Sequence, residues 1–361
     1  MHLWGFQTAG WATVGKACAV ALALSCAAPT SGYAQKAPPP PPPIDPFAAG
    51  EIVDFREQMR AFVQSISAFA RSVNPRFVVI AKDGMGLVGK PDPADDTIVF
   101  PATAYMRALD GVIETGLLDE TVTTPEGKPD PELAAAVKRR GDNLATAQNA
   151  GLKVFALEFA TEPKAVDAHY AAMTNKGLTP FVPEGPELAT IPRHPASAYK
   201  ASAKPIATAA EVGNFLYIAN AQGLGDTGAF LQALRATNHD ILVIDVFQGG
   251  KPLTRDDIGW LKYKRLGAPR LVLAQVNISS AASFDYFWQP DWTKGSPPYL
   301  YAPVRTDPDR MRAIYWDADW QTIFAGDFNS YIYGVIDLGF DGVVLTGVDG
   351  WRFFEAGGND E

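Results

Sequence analysis

What limits this chain most is a recurring unit, a short and largely apolar run followed by a stretch of helical character. The runs lie at 77–81, 109–113, 154–159, 178–182, 215–219, 241–247, 271–276 and 343–345. A strand that is apolar on both faces is covered on both faces, as in a parallel sheet. Helical segments at 131–150, 163–176, 227–237, 254–266 and 316–338 separate many of the runs. Before the first run, Ile52, Phe55, Met59, Phe62, Val63, Ile66, Phe69 and Val73 step by three and four. That spacing predicts a helix, and Asn74-Pro75 ends it, because the residue before proline disfavours the helical region. Eight such units predict an α/β fold, a single-domain (β/α)8 TIM-type barrel. The alternative is a doubly wound open sheet, but no Gly-x-Gly-x-x-Gly follows the first strand to support it.

The barrel is assigned to residues 49–361. Ahead of it, Lys16 precedes an Ala-, Leu- and Val-rich run at 17–28 that ends near Gly32-Tyr33-Ala34. The run is too short to span a bilayer, so residues 1–34 read as a cleaved export signal. A lipoprotein anchored at Cys26 is the rival, with Ala23 standing where such signals usually carry Leu. Residues 35–48 form a proline-rich linker with six consecutive prolines at 38–43, which favour an extended rod. The expected location is periplasmic or secreted, with no integral membrane span once the signal is removed. Both cysteines, Cys18 and Cys26, fall in the signal, so no disulfide or thiolate metal site is expected in the mature chain. The net charge of −9 becomes −10 when Lys16 is lost, since −9 − 1 = −10. Such a balance repels nucleic acid and suits a neutral or cationic ligand, unless it serves solubility alone.

In a barrel the residues just past each strand meet at one mouth. Here they are Lys82 and Asp83, Glu114, Glu158, Asn220, Asp245, Gln275 with Asn277, and Asp349. One such acid alone would more readily cap a helix or pair with a base. Five strand ends bearing carboxylates argue for a polar ligand site. Carboxylates without supporting Cys or His suit glycoside chemistry, in which one acid protonates the leaving oxygen and another attacks or activates water. His169, His194 and His239 fall in helices or loops, so no metal and no cofactor is expected. Trp292, between Pro290 and Gly295, is a candidate platform for a sugar ring, and Trp351 follows the last strand. Trp316 and Trp320, four apart, read as core.

The tracts Leu242-Val243-Ile244-Asp245, Ile278-Ser279-Ser280-Ala281-Ala282-Ser283-Phe284-Asp285-Tyr286, Tyr315-Trp316-Asp317-Ala318-Asp319-Trp320 and Gly339-Phe340-Asp341-Gly342 resemble glycoside-hydrolase family 114, the endo-α-1,4-polygalactosaminidase-like proteins. Met59-Arg60-Ala61-Phe62-Val63 through Ile80 and Leu109-Asp110-Gly111 resemble family segments that usually follow the Phe-Asp-Gly strand. The resemblance therefore implies a circularly permuted barrel whose first strand lies beside its last. It also implies an amino-sugar polysaccharide or oligosaccharide as partner. Asp245 matches a family acid, and Glu158 stands where homologues tend to carry aspartate. Thr346 stands at the position of a catalytic aspartate, and Ser279-Ser280-Ala281-Ala282 replaces Gly-Glu-Ala-Glu. A further family glutamate falls at Thr115, with Glu114 one residue off, so Glu114 substitutes only if the strand bulges. Asp245 with Glu158 or Glu114 forms the expected catalytic set. Asp83, Asn220, Gln275, Asn277, Trp292, Thr346, Asp349 and Trp351 form the expected substrate-binding set. The alternatives are a degenerate barrel that binds polysaccharide without cleaving it, and an envelope protein whose rim acids are structural.

Overall fold

Each apolar run becomes a strand because only a doubly covered sheet removes both of its faces from water. In the computed structural model, which describes residues 46–47, 53–92, 94–95 and 98–359, the barrel strands are β1 (Val78–Lys82), β2 (Gly111–Thr115), β3 (Lys153–Leu157), β4 (Thr179–Phe181), β5 (Phe215–Tyr217), β6 (Ile241–Ile244), β7 (Leu271–Asn277) and β8 (Gly342–Thr346). The expected export signal and nearly all of the expected linker lie outside the described residues. The strands form one sheet in the order β4-β3-β2-β1-β8-β7-β6-β5, and all its pairings are parallel. β4 and β5 are neighbours, but among the described residues no hydrogen-bonded ladder joins them. The result is a nearly closed eight-stranded parallel barrel with helices between its strands. β1 lies against β8, with Val78 opposite Gly342 and Ala81 opposite Leu345. A permuted order requires this contact, and any closed barrel supplies it. Gly342 permits the approach, since a Cβ there would stand 2.2 Å from the Val78 carbonyl oxygen.

The first helix, α1 (Phe55–Val73), starts at Asp54, whose side chain accepts from the Glu57 N–H at 2.9 Å. Its face of Met59, Phe62, Val63, Ile66 and Ala70 is buried. It packs against α2 (Thr103–Arg107), after β1, and against α8 (Tyr331–Asp337), before β8, and so covers the β1/β8 junction. The outer layer is completed by α3 (Pro131–Asn149), α4 (Pro163–Asn175), α5 (Thr227–Arg235), α6 (Arg255–Leu261), α7 (Ala318–Phe324) and α9 (Trp351–Glu355). The stretch 316–338, expected as one helix, is two. Gly326, with φ of 140°, breaks it, and Ser330 begins the second. Sequence periodicity also gives no hint of a small antiparallel sheet of Ser280–Ala282, Asp307–Ala313 and Leu300–Val304, inserted after β7.

One device recurs at the N-terminal ends of the strands. Asp110, ahead of β2, accepts from the Val79 N–H of β1 at 2.8 Å and pairs with Arg71 at 2.9 Å. Asp341, ahead of β8, accepts from the Val272 N–H of β7 at 2.9 Å and pairs with Lys262 at 2.7 Å. Asp240, ahead of β6, accepts from the Gly213 N–H before β5 at 2.7 Å and pairs with Lys264 at 2.6 Å. The carbonyls of these three aspartates receive N–H groups from Lys153, Val78 and Leu271, respectively. Each aspartate thus ties three successive strands and one outer cation together.

Candidate functional site

Asp245 follows the fully buried Ile241–Ile244 strand. Its Oδ1 accepts from the Phe247 N–H at 2.8 Å, and its Oδ2 accepts from Gln275 Nε2 at 3.3 Å. Gln275 is held in turn, because Nε2 also donates to the Ala219 carbonyl and Oε1 accepts from the Tyr217 hydroxyl at 3.1 Å. That chain fixes which end of the amide faces Asp245. Burial pushes the Asp245 carboxyl above the usual carboxylate range, while the N–H donors of Phe247, Gln275 and Val246 and the Arg310 charge oppose the rise.

The sheet inserted after β7 supplies further groups. Asp285 Oδ2 accepts from the Ala282 N–H at 2.8 Å and lies 4.0 Å from Arg310 Nη1. Burial raises the Asp285 carboxyl, and the Asp245 charge adds to that rise. Beside them Phe247, Tyr286 and Tyr331 form an aromatic column, with ring centroids 6.3 and 4.8 Å apart. Tyr331 is half-buried, and its hydroxyl is held well above the ordinary tyrosine range, first by burial and then by the Asp245 charge.

A second group gathers after β1, β2 and β8. Lys82 pairs with Asp83, whose backbone takes a left-handed φ of 57°. Glu114 Oε2 accepts from the Met85 N–H at 3.2 Å. Burial and the neighbouring Asp83 carboxylate push the Glu114 carboxyl up to about 7, against the pull of Lys82 and Arg352. Asp349 is raised by the same two causes. Tyr217 links the two groups electrically. Burial raises its hydroxyl, and the charges of both Asp83 and Asp245 raise it further. The mouth therefore brings Asp83, Glu114, Asp245, Gln275 and Asp349 together with Tyr217, Asp285, Arg310 and Arg352. Sequence reasoning missed these last four. Tyr217 sits inside an apolar run, and Arg310 and Asp285 converge only through pairing of the inserted sheet.

Other candidates have different employment. Glu158 Oε1 accepts from the Leu118 N–H at 2.9 Å, tying the end of β3 to the loop after β2. Glu114 ties β2 to the loop after β1 in the same manner. The ladder through β2 is regular, with Glu114 opposite Ala156 and Thr115 opposite Leu157. No bulge turns Glu114 to the Thr115 side. Asn220 is exposed and accepts from the Gln222 N–H at 3.1 Å, as a turn former. Asn277 Oδ1 gathers Ser279 N–H, Ser280 N–H and the Ser280 hydroxyl, at 3.0, 3.0 and 3.1 Å. Thr346 is half-buried and in register with Asn277. Trp292 packs its edges and faces on Phe287, Trp288 and Tyr299. Trp351 is buried with the Arg56 and Arg352 guanidiniums 4.0 and 5.0 Å from its ring centre, so cations already occupy ring surface that a sugar would need. Trp320 is fully buried, and its indole donates to the Ile278 carbonyl at 2.8 Å. Among the described residues no group of three or more His, Cys, Asp and Glu is placed to hold a metal ion, and no helix is long and apolar enough to cross a membrane.

No family model matches the chain. An uncharacterized protein of Deinococcus radiodurans is 27% identical over 131 residues, which are 36% of this chain and 39% of that protein. An uncharacterized protein of Methanocaldococcus jannaschii is 26% identical over 137 residues, 37% of each chain. The chain thus spans well under half the length of these curated relatives. Among solved structures, the Ignisphaera aggregans GH53 catalytic domain superposes over 79% of this chain and 85% of its own, at 13% identity and a TM-score of 0.35. The barrel assignment stands on the strand pairings themselves.

Proposed function

We propose that the barrel mouth takes an amino-sugar polysaccharide of galactosamine type and cleaves its glycosidic bonds by carboxylate acid–base chemistry, in a protein exported to the periplasm or beyond. The carrying observation is the placement of two half-buried acid side chains at the same ends of strands of one barrel, Asp245 directly after β6 and Glu114 near the end of β2 before its loop. Asp245 accepts two N–H hydrogen bonds, which favour the carboxylate form needed to attack the anomeric carbon or activate water, against the burial that opposes it. Glu114, pushed up to about 7 beside Asp83, keeps its proton into the neutral range, as a donor to the leaving oxygen must. Glu158 and Glu114 each accept one loop N–H, and Glu114 is preferred because its carboxyl is buried beside the Asp83 charge. A net charge of −9 favours a cationic polymer at the rim. The sugar class comes from the family resemblance, and the export from the pattern of residues 1–34.

A second reading, binding without cleavage, draws on Thr346 and Ser280, which stand where the resemblance places acids. One experiment separates the two. The purified protein is incubated with partially deacetylated galactosamine oligomers, and cleavage and binding are measured together. The hydrolytic reading expects cleavage to fall by about two orders of magnitude or more in Asp245→Asn and Glu114→Gln, with binding largely kept. Binding without cleavage in the parent protein selects the second reading, and absence of both removes the polysaccharide assignment.

A further inference from the structure

The inserted sheet and the start of α8 build a corner of the mouth beside Asp245. α8 runs back toward the N-terminal end of β8, so Tyr331, its first residue, stands at the mouth end. The Tyr331 ring lies nearly parallel to that of Tyr286, at 4.8 Å and 20°, and Phe247 backs Tyr286 at 6.3 Å. The rings cover one another, so what they offer a ligand is their hydroxyl edges. Both tyrosines are half-buried. Among the described residues neither hydroxyl makes a hydrogen bond, and neither is sealed from solvent.

Asp285 completes the corner. Its Oδ2 accepts from the Ala282 N–H at 2.8 Å, while Oδ1 makes no hydrogen bond among the described residues. The side chain is 24% exposed, which leaves Oδ1 open to a ligand. The charges here do not balance. Arg310 acts on both Asp245 and Asp285, but it lies 4.0 Å from Asp285 and is shared with Asp307 at 3.4 Å. Asp309 adds its negative charge to the field at Asp285. The Tyr331 hydroxyl sits in the same field, close to Asp245, Tyr286 and Asp285. Oxygen lone pairs in a negative field favour a donor that carries positive charge. A protonated amine is such a donor, and its three N–H groups match one carboxylate oxygen and two hydroxyl oxygens. An acetylated amine has one N–H, no charge and an added acyl group, so it forgoes most of that attraction.

From the covered rings, the two unpaired hydroxyls and the open Asp285 oxygen, we propose that this corner selects a protonated amino group on the sugar held against Asp245. Asp285 and Tyr331 are its specificity-determining residues. This selection rests on the carbohydrate reading of the mouth, to which it adds the groups that tell a free amine from an acetylated one.

The test uses Glu114→Gln protein as host, so that cleavage does not consume the probes. Calorimetric titration compares a fully deacetylated galactosamine trimer with its N-acetylated counterpart. The deacetylated trimer is expected to bind at least about tenfold more tightly. Asp285→Asn keeps an acceptor for the Ala282 N–H, and Tyr331→Phe keeps the ring stack, so both variants of the host should fold. They should lower affinity for the deacetylated trimer by about tenfold and about fivefold, respectively. Affinity for the acetylated trimer should not change, whereas a merely structural role would weaken both trimers alike. Equal affinities in the host, a preference unchanged in either variant, or parallel loss for both trimers overturns the assignment and leaves the mouth a sugar site. Binding of neither trimer overturns it together with the polysaccharide reading.

Discussion

At the scale of single residues, Glu114 connects chemistry with stability. Its carboxyl is held at about 7 in the folded protein, against an ordinary value of 4.5. Between these values the folded chain keeps a proton that the unfolded chain has released, so stability falls as pH rises from about 4.5 to about 7 and is level above. The full cost is on the order of 3 kcal/mol. Glutamine at this position can still accept from the Met85 N–H without ever charging. The unfolding midpoint of Glu114→Gln should therefore gain on the parent between pH 4.5 and pH 8, and a constant difference would remove this account. If Glu114 is the proton donor, the parent's cleavage rate should also decline as pH passes about 7. Asp245 is legible in the sequence because an acid directly after four apolar residues must end a buried strand. Tyr217 is not legible, because a tyrosine inside such a run reads as core until its hydroxyl is seen on Gln275. The family resemblance and the rim rule both single out Glu158. Its tie to Leu118 depends on where one loop crosses a neighbouring strand, which no local pattern encodes.

At the scale of elements, the eight-unit rhythm is strongly encoded because each strand must shed both faces from water. The ties between units are not. Asp110, Asp240 and Asp341 look alike in the sequence only as acids just ahead of apolar runs. Their common work emerges when a neighbouring strand and an outer cation arrive together. The Asp240 pair tests how much such a tie matters. Lys264 is wholly buried and also donates to the Ser202 and Lys204 carbonyls, at 3.2 and 2.9 Å. Lys264→Met would leave Asp240 as a buried and unpaired charge. The expected cost is about 3–5 kcal/mol, read by denaturant unfolding. Replacing both partners, as Lys264→Met with Asp240→Asn, should recover part of that loss. An equal or larger cost in the double variant would show that the pair is not the unit. The inserted sheet is hidden from sequence for a related reason: its pairing is irregular, with register shifts, and joins strands across an aromatic loop.

At the scale of the whole molecule, the first and last parts of the described residues approach each other. Gly358 lies against Phe47, since a Cβ on the glycine would stand 3.1 Å from that ring. A short linker could therefore join the two ends. A rearranged chain opened within the connection between β4 and β5, near residue 204, should fold to the same barrel. Its circular dichroism should match the parent, with an unfolding midpoint within about 3 °C, corresponding to roughly 2 kcal/mol for a barrel of this size. An unfolded product would contradict the permuted descent that the resemblance implies. The missing ladder between β4 and β5 has a mechanical consequence as well. Every other junction must break a backbone ladder to part. Here, among the described residues, the only backbone bonds between the two strand ends run from the Ala219 and Asn220 N–H groups to the Leu188 carbonyl, beyond the strands themselves. Under pressure or gentle heating the cylinder should therefore gape along this line first, like a cuff slit down one side, and solvent deuterium should enter at Phe181 and Phe215 before it reaches Ile80 or Val344.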